Sequence, residues 1–427
     1  MASLALTLNT AEQTLLNTQT ELATSSNNIS NASTPGYAEE TAVQTENPAI
    51  STMSGWLGTG ASITTVTQAR DNFVEQQLMN AMTSDSQYSS LASQLTTIQS
   101  TASDSGNTGI SEALGNFFNA WSTLAQDPTG SSEQTAVYSA AHNLVSAIQS
   151  TYDQLNQIGG QIPGQISSTV TQANSLISQI ATLNTDILRS SAVSQPNNLI
   201  DQRYEAMDSL AKLIPVTFST NSDGTVNVNT TEVGSSVNLI SGTTVAATIS
   251  STSGISGGEL GGLLQAQTSL NGYLQQFNAF VGALGNQINT VSGLSVASGS
   301  TASSISMSSN FLSGLTSTQL GAIAQNMSNL QDTTVSFSYP AGTSSTLQGY
   351  LDSIQQSIGT DVQDANNNKS FYDALKSQLQ TQQQSISGVS LDQEMVSVIQ
   401  YQQIYQAAAK VIQTASTLMS TAVNMVQ

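Results

Sequence analysis

The 427 residues contain no cysteine. Disulfides, thiolate zinc sites, iron–sulfur clusters and cysteine nucleophiles are therefore excluded. The one histidine, His142, rules out a multi-histidine metal site. Basic residues are scarce too: 7 Lys+Arg stand against 27 Asp+Glu, for a formal net charge of −20. So few cations cannot neutralise a phosphate backbone or form a polybasic patch, so neither nucleic acid nor an anionic lipid surface is an expected partner. Charge of either sign is sparse, at 8% of residues against about 25% in an ordinary globular domain. Ser, Thr, Asn and Gln stand in its place. No apolar run approaches the ~18–20 residues that span a bilayer, so no membrane insertion is expected. No Lys or Arg precedes Arg70, and Thr7, Asn9 and Thr10 interrupt the first apolar positions, so the opening segment does not read as a secretory signal.

What is present is helical periodicity. Residues 3–30 carry Leu8, Leu15, Leu22 and Ile29 at heptad spacing, with Leu4 and Ala11 beside them and Thr18 and Ser25 weakening the second seam position. Pro35-Gly36 ends that segment, and residues 36–70 read as extended chain or short strands. Asp71 is an expected N-cap. The helix after it carries Leu78, Met82, Leu91, Leu95 and Ile98. A further helix from Ser111 carries Leu114, Phe117, Trp121 and Leu124 and closes at Asp127-Pro128. Two more are expected, one through Val137 and Leu155 and one from Ile166 to Ile187, followed by a short helix between Pro196 and Pro215.

At Pro215 the period changes. Val216 and Phe218 alternate with polar residues, Asn221 to Gly224 is a turn sequence, and Val226 and Val228 alternate beyond it, which predicts a β-hairpin. Val237, Leu239 and Val245 extend the β character. Gly254 to Gly262 reads as a flexible exit. Residues 260–291 predict a helix with Leu263, Leu270, Phe277, Leu284 and Val291 on one line. Residues 292–318 read as loop, Val335 to Tyr339 as one strand, and Leu347 to Ile386 as a polar helix. The last segment has no Gly or Pro. Leu391, Val398, Tyr405, Ile412, Met419 and Val426 form one heptad line, and Glu394, Tyr401, Ala408, Ala415 and Ala422 form the next.

The expected fold class is therefore mainly α (α+β): an elongated long-helix bundle with paired N- and C-terminal helices and a small β-rich outer lobe. The expected domains are 1–35 with 388–427 as a terminal coiled-coil inner domain, 36–214 with 259–387 as a helical middle domain, and 215–258 as the lobe. A chain whose ends pair and whose middle projects is built like a subunit of a hollow polymer.

No catalytic residue, cofactor or metal site is expected. A Ser-His-Asp arrangement would need His142, which reads as a helix-surface residue. No Lys follows a Gly, so the Walker-type phosphate loop is absent. Gly257 to Gly262 lacks the strand–turn–helix context of a dinucleotide site and reads as a linker. Asp201, Arg203 and Glu205 cluster on a helix, where Arg203 reads as fixing an internal joint rather than serving a carboxylate pair.

Two segments carry a family resemblance. Ser26-Asn27-Asn28-Ile29-Ser30-Asn31-Ala32-Ser33-Thr34-Pro35-Gly36-Tyr37 resembles the N-terminal signature of bacterial flagellar rod, hook and hook-associated proteins. Ser387 to Glu394 with Tyr401-Gln402-Gln403 and Tyr405 to Ile412 resembles their C-terminal signature. Between them, Pro196-Asn197-Asn198-Leu199-Ile200-Asp201-Gln202-Arg203 is similar to a segment of the hook-associated protein 1 family, the first hook–filament junction proteins. Gly55-Trp56-Leu57-Gly58 and Arg70-Asp71 are similar to that family as well. After Tyr37 the chain departs from the pattern, with Ala38-Glu39-Glu40 where Ser and basic residues are common.

The resemblance implies a structural component that joins hook to filament and is required for filament assembly. The implied partners are the flagellar hook protein, a second hook–filament junction protein, copies of the chain itself in a ring, and a flagellar export chaperone. The implied location is the extracellular junction, reached unfolded through the flagellar type III system. The expected assembly residues are Leu8, Leu15, Leu22, Ile29, Leu391, Val398, Tyr405, Ile412, Met419 and Val426. The motif positions are Asn27, Asn28, Ile29, Asn31, Thr34, Pro35, Gly36, Tyr37, Asp201 and Arg203. Another axial flagellar protein is the nearest alternative, and a secreted adhesin a more distant one.

Overall fold

The computed structural model describes residues 2–52, 55–103, 109–190, 196–232 and 235–424. The helices are α1 (Ala2–Asn31), α2 (Asn72–Ala102), α3 (Ile110–Gln126), α4 (Ser131–Ser190), α5 (Asn197–Leu213), α6 (Gly258–Ser292), α7 (Ser317–Asn329), α8 (Leu347–Ser387) and α9 (Leu391–Asn424). The strands are β1 (Glu40–Glu46), β2 (Ile50–Thr52), β3 (Gly55–Leu57), β4 (Ala61–Gln68), β5 (Val216–Thr220), β6 (Val226–Glu232), β7 (Ser235–Ser241), β8 (Thr244–Val245), β9 (Ala297–Ser298), β10 (Ser306–Met307), β11 (Val335–Ser336) and β12 (Ser344–Ser345). The protein is mainly α with small antiparallel sheets, as the periodicity predicts. The chain divides into two units. One comprises Met1–Thr83, Gln172–Gly254 and Tyr372–Gln427, and the other Ser84–Thr171 and Ile255–Phe371.

The second of these units holds the aromatic core. Leu114, Phe117, Trp121 and Leu124 of α3 are buried among Val137, Leu144 and Ile148 of α4 and Leu270, Phe277 and Leu284 of α6. Phe117 meets Trp121 edge-on at 6.1 Å between ring centroids, a favoured aromatic geometry. α7 has no counterpart in the sequence reading. Thr316 and Gln319 form a capping box at its start, and Leu320, Ala324 and Met327 are its buried face.

Four expectations are corrected here. Gly258 to Gly262 are not part of a flexible exit but the first turn of α6. A Cβ at Gly262 would lie 2.3 Å from the Gln87 carbonyl oxygen and 3.1 Å from the Leu91 nitrogen, so the missing side chain is what lets α6 approach α2. The two helices expected on either side of Pro163 are one 60-residue helix, α4. An interior proline costs about 3 kcal/mol. Here Leu155 and Ile162 before the proline and Ile177 and Ile180 after it are fully buried, and each such side chain returns about 1.5–3 kcal/mol. The expected strand from Val335 to Tyr339 is also shorter, since β11 ends at Ser336. Residues 292–318, read as loop, contain the β9–β10 pair.

The glycine reading gives a paired prediction. Gly262→Ala should lower stability by about 1–3 kcal/mol, as overpacking does. Gly160→Ala, where nothing lies within 4 Å of the new Cβ, should raise it by about 0.5–1 kcal/mol. Urea unfolding of the two purified variants checks both signs.

In the other unit, α1 packs along α9, and β1 and β4 form a hairpin with a register shift between Val43 and Gln44. Asp71 caps α2 as expected: its Oδ1 accepts from the Phe73 nitrogen at 2.8 Å. The expected β-hairpin is the start of a four-stranded sheet ordered β5-β6-β7-β8, with Thr220 opposite Val226 across the Asn221–Gly224 turn. Val216, Val226, Val228, Leu239 and Ile240 are among its buried side chains.

Candidate assembly site on the paired terminal helices

The centre of the α1/α9 seam is small and polar. On α1 the buried line runs Ala11, Thr18, Ser25 and Asn28; on α9 it runs Glu394, Ala408 and Ala415. Thr18 fits because its hydroxyl donates to the Thr14 carbonyl at 2.7 Å. Small side chains at these positions allow close helix approach. The large apolar lines expected to form the interface flank this centre. Leu8, Leu15, Leu22 and Ile29 are half-buried, as are Val398, Tyr405, Ile412 and Met419. Leu391 is exposed, and Val426 lies outside the described residues.

At one end of the seam the N-terminal motif ties three segments together through Asn28. Its Oδ1 accepts from the Tyr37 hydroxyl at 2.7 Å and from the Glu40 nitrogen at 3.0 Å. Its Nδ2 donates to the Glu40 carbonyl at 2.9 Å and to Glu394 Oε1 at 2.5 Å. The amide thus pairs with β1 as another strand would, while holding the one acidic side chain of the α9 seam. Asn27 donates to Glu40 Oε2 at 3.2 Å, and Asn31 receives the Thr34 hydroxyl at 3.2 Å. Tyr37 N–H donates to the Thr34 carbonyl across Pro35-Gly36, where Gly36 has φ +77°. Proline then glycine at the centre is the requirement of a type II turn. Burial, reinforced by Glu40, raises the Tyr37 hydroxyl pKa, so it stays protonated and able to donate. The Glu39 nitrogen donates to the Ser387 carbonyl at 2.8 Å, which joins the turn to the link between α8 and α9.

Arg70 connects the two motifs. Its guanidinium donates to the Gly36 carbonyl, to Asp201 Oδ1 at 2.6 Å and to Glu75 Oε1 at 3.0 Å, and lies 4.4 Å from the centroid of the Tyr204 ring. Gln68 also donates to Asp201, at 2.7 Å, and Gln383 donates to Glu75 at 2.7 Å. Burial pushes the Asp201 carboxyl up, and Arg70 and Gln68 pull it back. Arg203 does not join this group. It is buried, and its Nη1 donates to Asn184 Oδ1 at 3.1 Å and to the Gly224 carbonyl at 2.7 Å, fixing α5 to α4 and to the β5–β6 turn. Burial lowers its pKa to about 10, still charged at neutral pH. Asn184, Gln68 and Glu75 were not singled out in the sequence. The signal for Glu75 was there: a carboxylate five residues after Arg70, in a chain nearly without cations.

Asn28→Leu should cost at least the ~1.5–3 kcal/mol of a hydrogen bond to a charged group, because it leaves Glu394 buried without its donor. Adding Glu394→Leu should recover part of the loss. A double-mutant cycle by urea unfolding measures the coupling directly.

Pairing of α1 with α9 leaves apolar surface uncovered. Leu391, Met395, Val396, Ile399, Ile404, Val411 and Leu418 of α9 remain 41–56% exposed. Among the described residues no group of His, Asp or Glu is arranged to hold a metal, and no helix is long and apolar enough to cross a membrane. His142 is exposed on α4.

Comparison with known proteins bears on all of these segments. Residues 95–251 match the family model "Flagellar hook-associated protein FlgK helical domain". Residues 8–37 match that of the flagella basal body rod protein, and 380–425 that of the flagellar basal body rod FlgEFG protein C-terminal region. Flagellar hook-associated protein 1 of Salmonella typhimurium is 30% identical over 213 residues, 49% of this chain and 38% of that protein. The Escherichia coli protein of the same name is 28% identical over 56% of this chain and 43% of its own length. That of Bacillus subtilis is 27% identical over 52% and 46%. The chain thus spans less than half the length of each of these curated relatives. A solved structure, the flagellar hook junction protein FlgK from Burkholderia pseudomallei, is 27% identical with a TM-score of 0.46, over 52% of this chain and 44% of that one. The resemblance read from the motifs is upheld: the junction-protein match takes in the middle of the chain, and the rod-protein matches take in its two ends.

Proposed function

We propose that this chain, a relative of flagellar hook-associated protein 1, is a structural component of the bacterial flagellum that joins hook to filament and is required for filament assembly. The observation that carries the reading is the row of large apolar side chains left exposed on α9 after it has paired with α1. Each is worth about 1.5–3 kcal/mol when fully buried, so the helix pair gains most by packing against further helices. Leu8, Leu15, Leu22, Ile29, Val398, Tyr405, Ile412 and Met419 flank the intrachain seam and extend the same surface, with Leu391 exposed beside them.

In this reading, residues 1–35 with 388–427 assemble, 36–214 with 259–387 form the helical body, and 215–258 form a separate β-rich lobe. The partners are the hook protein on one side, the second junction protein on the other, and copies of this chain in a ring. An export chaperone would guard the apolar termini before type III export to the cell exterior. The role is mechanical, without catalysis. Matches to rod proteins at both ends also favour another axial flagellar protein; the middle match to the FlgK helical domain favours the junction.

Position separates the two. With an epitope tag in the β5–β6 turn, immunogold microscopy of isolated flagella should place label at the hook–filament boundary. Label in the rod, or along the hook, would overturn the junction reading.

A further inference from the structure

Beside the paired helices, an apolar groove of about 530 Å³ opens to solvent. Leu6 and Ala11 of α1, Ile404 and Val411 of α9, and Leu57 of β3 form its walls. No lining residue is charged. The Thr10 and Thr14 hydroxyls along it already donate to the Leu6 and Thr10 carbonyls, at 2.9 and 2.8 Å. The groove therefore offers apolar area and a few hydroxyl lone pairs, and little to hold a charged or strongly polar group.

The β2–β3 hairpin, which supplies Leu57, presents the opposite feature. Trp56 is 77% exposed, among the most exposed large apolar residues described. In the β2–β3 pair, Ser51 lies opposite Trp56 and Ile50 opposite Leu57. Directly opposed residues share a face and adjacent residues take opposite faces. Leu57 lines the groove, so Trp56 projects from the other face and does not line its own chain's groove. One surface of the hairpin closes a groove, while the other carries an indole with nothing to cover it.

We propose that Trp56 of one copy seats in the α1/α9 groove of a second copy. Charge selects this occupant. In a chain of net charge −20, residues 47–60 carry no charge at all, and neither does the groove lining. Two copies can therefore meet here without bringing carboxylates together. The indole N–H can donate to a threonine lone pair while its ring is covered, the arrangement buried tryptophans favour. Because donor and acceptor surfaces differ, one copy can donate to the next while accepting from the one before, and such head-to-tail contacts generate rings or open arrays. A buried Trp contributes about 150–250 Å², against about 800 Å² per partner in a stable complex. The contact therefore forms between subunits already stacked by other surfaces. It rests on the assembly reading given above.

The test is photo-cross-linking from the groove rim in intact flagella. A benzophenone amino acid replaces Ala407, and Trp56 is left in place. After irradiation, flagella are isolated and the linked peptides identified by mass spectrometry. The expected product has twice the chain's mass, joined from position 407 to residues 47–60, and falls at least tenfold when Trp56→Ser is added. Trp56 is exposed, so that variant keeps its fold. A link to a different protein, a link elsewhere in this chain, or no link from chains present in the flagella would overturn the proposal and leave the junction reading standing. Absence of the chain from isolated flagella would overturn both.

Discussion

Cells whose only copy of this chain carries Ala415→Asp are expected to secrete it and to grow at least tenfold fewer filaments. Ala415 is buried on the inner line of α9, facing α1. A carboxylate there must leave water with no cation near it, since Lys410 lies exposed more than a turn away. An unpaired buried charge costs several kcal/mol, and about 1.4 kcal/mol already shifts an equilibrium tenfold. The loss recurs in every subunit. Residues distant from the seam should fold as before, because neither the aromatic core nor the four-stranded sheet includes α9. Ile412→Asp, half-buried on the flank, should act in the same direction and less strongly within the chain. Gln413→Asp, exposed on the opposite side, should be mild. Circular dichroism of the purified variants, with filament counts on cells that secrete them, separates loss of assembly from loss of fold.

The second large effect concerns pH. Asp208 lies on α5, with one carboxylate oxygen shielded from solvent and without a hydrogen-bond partner. Burial, with Glu75 and Glu205 adding to it against Lys212 and Arg70, pushes its carboxyl from 3.8 up to about 7. A raised carboxyl means that the folded chain holds the proton more tightly than the unfolded one. Its contribution is complete below about pH 4, falls as pH rises, and is gone once pH passes about 7. A shift of this size corresponds to on the order of 4 kcal/mol. Asp208→Asn keeps the neutral form at every pH. The variant should therefore be the more stable protein above pH 7.5, with the gap closing towards pH 4. Glu21, Glu39 and Asp201 are raised by burial as well, so the wild-type slope includes them. The difference between wild type and variant isolates Asp208. Urea unfolding at pH 5 and pH 8 gives the answer; a wild-type–variant difference that does not change between them would contradict it.

The helices were legible because the chain is so poor in charge. With few charged landmarks, period alone marks the buried face, and the lines through Leu263 and Leu114 are buried as read. The reading failed where glycine or proline serves packing. Gly262 looks like punctuation until α2 lies against it, and the helices expected through Leu155 and from Ile166 prove to be one, with Pro163 inside it. The packing of the two terminal helices was half legible. Heptad spacing locates the faces of α1 and α9 but not which of two adjacent lines turns inward. That choice fell to Thr18, Ser25 and the alanines, because small side chains bring the axes close, and it left the leucines and isoleucines on the flanks. Asn28 and Glu394 lie 366 positions apart, and no local pattern links them. Glu394 stood out only as the polar exception in an apolar line.

The central claim is that this chain completes the surface on which a filament grows. Deleting its gene and imaging the cells tests that most directly. Hooks of normal length without filaments, flagellin released into the medium, and recovery by the wild-type chain are the predicted result. Normal filaments on the deletion strain would contradict it.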